Sequence, residues 1–161
     1  MTRRMILLAG LTAGLAGAAR GQQPPPPVNV DTNQAVNACL TPAQQRQPLA
    51  QIGPAQRRRL VACIFENTAR QINAQLPVQV DELTRLDRIT VAGPSLTYHY
   101  STTGLRAELP PNVAALLEQH TRAFVCGQAN MAQTLQLGGT YGYRWSDRTG
   151  VLIHQVQITR C

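Results

Sequence analysis

Residues 140–150 read TYGYRWSDRTG, and the reading of this run decides the fold. Tyr141, Tyr143 and Trp145 alternate with Gly142 and Arg144. Successive side chains of a β-strand leave on opposite faces, so the three rings share one face and Arg144 lies on the other. A base-stacking platform needs ring and guanidinium on one surface. Period two separates them, which makes the run a hairpin arm with a core face rather than a nucleic-acid contact. Asp147 and Thr149 followed by Gly150 suit a type I turn with a left-handed glycine, and residues 150–159 supply the returning strand.

The same alternation recurs upstream. Leu83–Val91 and Ser95–Thr102 are rich in β-branched and aromatic residues and are joined by Ala92-Gly93-Pro94, which predicts a second hairpin. Leu96, Tyr98 and Tyr100 share one face of its second strand, and Thr97, His99 and Ser101 share the other. Elsewhere the period is helical. After Gly53-Pro54, the positions Leu60, Val61, Ile64, Phe65, Thr68, Ile72 and Leu76 form one apolar stripe. Pro110-Pro111-Asn112 opens another helix, whose inner stripe is expected at Val113, Leu116, Leu117, His120 and Phe124, and a short helix runs from Asn130 to Leu137. Helices and hairpins in this order predict an α+β domain: a roughly four-stranded antiparallel sheet of two hairpins, with helices packed on one face.

The N-terminus belongs to a different class of sequence. Arg3 and Arg4 precede the apolar run 5–19, and small residues offer cleavage after Ala18 or Gly21, the pattern of a secretory signal peptide over 1–21. The run is shorter than the roughly 20 residues that span a bilayer, so no membrane span is expected. Residues 22–38 are polar and proline-rich and read as a flexible lead-in, leaving 39–161 as a single domain. Export places the chain in the periplasm or outside the cell. There, four cysteines read as two disulfides. Pairing Cys39 with Cys63 and Cys126 with Cys161 closes shorter loops than the crossed alternatives. Loss of residues 1–21 would remove three arginines and leave 12 against 8 acids. There is no lysine, and only Arg57-Arg58-Arg59 is clustered, so no charged stripe for nucleic acid is present.

Chemistry-bearing residues are sparse. His99, His120 and His154 show no metal-ligand spacing, and no paired cysteines suggest zinc, so neither metal nor cofactor is expected. The segment VDELTRLDR is the densest in charge. Asp87 and Arg85 share a strand face there and should form an ion pair. No nucleophile elbow or phosphate loop occurs. Asp81, Arg85, Asp87, His99 and Arg144 are the candidate binding residues, the last two on the face away from the rings.

The segments LPVQVDELTRLDRITVAGPSLTYHY and C…LGGTYGYRWSDRTGVLIHQVQITRC resemble a pattern of small uncharacterised exported bacterial proteins. In it, TRLD precedes a Y-x-Y strand, a cysteine precedes a G-x-x-Y-x-Y-x-x-D hairpin, and a cysteine ends the domain. The resemblance implies a self-contained exported domain and carries no activity with it. The function expected is therefore binding, to an envelope protein or a small ligand. Alternatives are a periplasmic hydrolase using Asp81 or Asp87 with a histidine, and an inhibitor or immunity-type protein.

Overall fold

The structure, a computed structural model, describes residues 30–42, 44–46 and 51–161. The expected signal peptide lies outside the described residues. The ordered unit begins earlier than the lead-in 22–38 allowed. Helix α1 spans Thr32–Asn37, with the Asp31 side chain accepting the Gln34 N–H at 2.8 Å as an N-cap. Its Ala35 is 1 % exposed. Helix α2 (Pro54–Asn73) starts with proline at the first turn and buries Leu60, Val61, Phe65, Ala69 and Ile72. The two helices are joined by the Cys39–Cys63 disulfide and by Gln71 Oε1, which accepts the Asp31 N–H at 2.8 Å.

The sheet has five strands in the order β1 (Val78–Gln79), β2 (Thr84–Ala92), β3 (Ser95–Thr102), β4 (Thr140–Ser146) and β5 (Leu152–Ile158). Both expected hairpins are present, as β2–β3 and β4–β5. The expectation of four antiparallel strands needs two corrections. Residues 78–79 add a short edge strand, and β3 pairs with β4 in parallel, Ser95 opposite Thr140. Parallel neighbours need a crossover. Here helices α3 (Val113–Gly127) and α4 (Ala129–Gln136) return the chain to the end of the sheet where β3 began.

One face of the sheet is the core. Leu86, Ile89, Leu96, Tyr141, Tyr143, Trp145, Val156 and Ile158 pack there with Phe65 and Ile72 of α2, Val125 of α3 and Met131 of α4. The second disulfide, Cys126–Cys161, ties the end of α3 to the C-terminus, with Cα atoms 5.6 Å apart. No helix among the described residues is long and apolar enough to cross a membrane.

Candidate functional site

Helix α2 meets different neighbours around its circumference. Cys63, Asn67 and Gln71 face α1, whereas Phe65 and Ile72 face the sheet. Ile64 and Thr68 fall between these two faces and line a cleft of about 500 Å³. Met131, Gln133 and Leu137 of the α4 region form the opposite wall, and Val30, Val36 and Leu40 close the α1 side. Leu96, Tyr98 and Tyr141 make the floor. None of the described lining residues is charged; the polar ones are amides, hydroxyls and phenols. Concave, mostly apolar surface with a few polar groups is the usual form of a binding site.

The floor continues into an aromatic row. Tyr98 stacks on Tyr143 (centroids 4.9 Å apart), Tyr100 on Trp145 (5.8 Å), and Trp145 on His154 (6.3 Å). Burial pushes the Tyr100 phenol up to about 12. Burial also raises Tyr98, with the neighbouring Tyr141 and Tyr100 adding to it, and raises Tyr143 in the same way. Tyr141 is raised by burial against the opposing effect of a hydrogen bond from Thr134. All four phenols are therefore neutral across the physiological range. The Tyr143 hydroxyl and His154 Nε2 are buried with no hydrogen-bond partner among the described residues.

Among the described residues no helix covers the opposite face of the sheet, which is polar, with Arg88, Thr90, Gln155 and Gln157 exposed there. Arg88 of β2, His99 of β3, Arg144 of β4 and Gln155 of β5 are successive register partners, so they form one row across four strands. The Thr90 hydroxyl lies 2.8 Å from His99 Nε2, and Arg144 donates to Gln155 Oε1 at 3.0 Å. Burial lowers the His99 pKa, and Arg88 and Arg144 lower it further against an opposing Asp87.

The residues singled out in the sequence are thus split. His99 and Arg144 are neighbours on the uncovered face. Arg85 and Asp87 form the expected ion pair at 2.6 Å. Asp81 stands apart and accepts the N–H groups of Leu83 and Thr84, so it shapes a turn. Neither Asp81 nor Asp87 hydrogen-bonds a histidine among the described residues. No metal-holding group of His, Cys, Asp or Glu occurs among them either. The cleft is not legible in the sequence because its lining comes from elements far apart in the chain, among them α1, α2, β3, α4 and β4. The only local trace is the i, i+4, i+8 series Leu60, Ile64, Thr68 on α2.

No protein-family model and no curated protein matches the chain. Solved structures with this fold include a protein of Pseudomonas aeruginosa described as secreted, at 18% identity and TM-score 0.55, covering 63% of this chain and 91% of that one. Another is the type 2 secretion system pilotin EpsS of Vibrio vulnificus, at 18% identity and TM-score 0.57, covering 65% and 93%. A third is the type II secretion system pilotin AspS of Vibrio cholerae, at 17% identity and TM-score 0.53, covering 66% and 94%. At these identities the likeness establishes a shared fold.

Proposed function

We propose that this chain is an exported interaction domain, periplasmic or secreted, that seats an apolar segment of another envelope protein in its inner-face cleft. The cleft carries the proposal: a volume of about 500 Å³, mostly apolar, with no charge among its described lining residues. A segment with charged side chains would lose hydration there without gaining a counter-charge. An apolar face of a helix or strand would lose nothing and bury its surface. Export is supported by the signal-peptide pattern of residues 1–21 and by two disulfides, which persist in oxidising compartments. The fold shared with two secretion-system pilotins agrees with an envelope role.

Capture from an envelope extract with the full chain tests this reading. A discrete partner should be retained by the wild type and by Gln157→Glu on the uncovered face, and lost with Ile64→Glu in the cleft wall. Retention by a folded Ile64→Glu variant would contradict it.

A further inference from the structure

We propose that Arg88, His99 and Arg144, side by side on the uncovered face of the sheet, form a binding site for the phosphate group of a soluble phosphate monoester. The site lies on the opposite face from the cleft and does not rest on the partner proposed there.

Register is the first observation. Arg88 is opposite His99, and His99 is opposite Arg144, on three consecutive strands. Strands lie about 4.8 Å apart, so the two arginines start about 10 Å apart with the imidazole midway. Arg144 is turned toward Gln155 on β5 in the structure; swung back toward the imidazole, its guanidinium and that of Arg88 would meet over a single compact ligand.

Charge is the second. Like charges arrayed across a sheet face weaken it, and nothing within this row offsets the cost. The nearest acid, Asp87, is held by Arg85 at 2.6 Å. Arg144 donates to Gln155, a neutral acceptor, and neither Arg88 nor Arg144 has an ion pair among the described residues. The row has two unbalanced positive charges, which one phosphate monoester dianion neutralises. A carboxylate offers one edge to one guanidinium fork, whereas phosphate oxygens serve both forks and an imidazole N–H together. His99 is held in place by Thr90, and its depressed pKa follows from its own burial and from the flanking arginines. A bound dianion reverses the arginine effect and draws a proton onto the ring.

The surroundings favour a soluble ester over a lipid headgroup. Anionic membranes are gripped by many basic side chains, each worth about 1 kcal/mol. Around this row the face presents Thr90, Thr97, Ser101 and Gln157, together with Arg85, whose charge is paired with Asp87. Among the described residues beside the row, none is a large apolar side chain that would enter a bilayer.

The test is a titration of the full chain with inorganic phosphate and then glycerol 3-phosphate, followed by the imidazole resonances of its three histidines. His99 should shift saturably and its pKa should rise on binding, while His120 and His154 stay in place. Arg88→Gln and Arg144→Gln should each weaken binding about tenfold or more without unfolding the chain. Shifts reproduced by chloride or acetate at equal ionic strength would overturn the assignment. So would binding seen only with phosphatidylcholine vesicles that contain phosphatidate.

Discussion

Tyr98 and Tyr143 are direct register partners on the parallel strands β3 and β4, and their rings stack with centroids 4.9 Å apart at 22°. The pair joins the two hairpins into one sheet. Tyr100 and Trp145 repeat the relationship one pleat further along. Such pairs contribute about 0.5–1.5 kcal/mol beyond their buried area. They also close the inner face, so the aromatic residues belong to the core and the floor of the cleft.

A tyrosine titration follows directly. The chain has four tyrosines, and burial raises all of them. The native protein should show no phenolate absorbance as pH passes the ordinary tyrosine value of about 10. The unfolded chain gives up those protons near that value and the folded chain keeps them. Stability should therefore fall as pH rises above about 10. A normally titrating tyrosine in the folded chain would place a ring in solvent and contradict the core assignment.

Asn73, the last residue of α2, donates to the Ile89 carbonyl and accepts the Ile89 N–H, both at 2.8 Å. Strand β1 pairs with only two residues of β2, so Asn73 takes the place of a neighbouring strand beyond it. Asn73→Ala should cost about 1–3 kcal/mol by leaving part-buried backbone groups unpaired. Urea unfolding measures this, and a loss within error of zero would show that water replaces the side chain.

Asp147 organises the β4–β5 turn. Hydrogen bonds from the Thr149 hydroxyl, then the Arg106 N–H, with those of Thr149 and Val151, hold its carboxyl down to about 2. Its folded pKa is depressed, so its contribution to stability is present above the unfolded value of about 4 and is lost as pH falls toward 2. Asp147→Asn should flatten the acid limb of a stability–pH profile. An unchanged limb would contradict this role.

The local features of the fold were legible in the sequence because their causes are local. The stripe on α2, the two hairpins and the positive-φ Gly150 that ends the second turn all follow from residues near one another. The parallel pairing of β3 with β4 was not legible, because it depends on where α3 and α4 deliver the chain. Helix α3 shows a subtler limit. Its apolar arc is wider than its buried face: Val125 is fully buried and Thr121 is 6 % exposed, whereas Leu116 is 41 % and Phe124 55 % exposed. Periodicity located the arc but not the part that meets the sheet, which is why Leu116, His120 and Phe124 were expected inside. Helix α1 was missed because six residues beside a proline tract carry little periodic signal. The cationic row was half legible, since alternation placed His99 and Arg144 on one face while only the strand order made them neighbours.

If the inner-face cleft holds a partner, site-specific photo-crosslinking in the exporting cell should trap it from exposed Gln133 in the cleft wall and not from Gln157, the control on the uncovered face. One discrete envelope-protein adduct is expected from position 133, lost when Ile64→Glu is added, and none at that mass from position 157. An adduct pattern identical at the two positions, or one from 133 that survives Ile64→Glu, would contradict it.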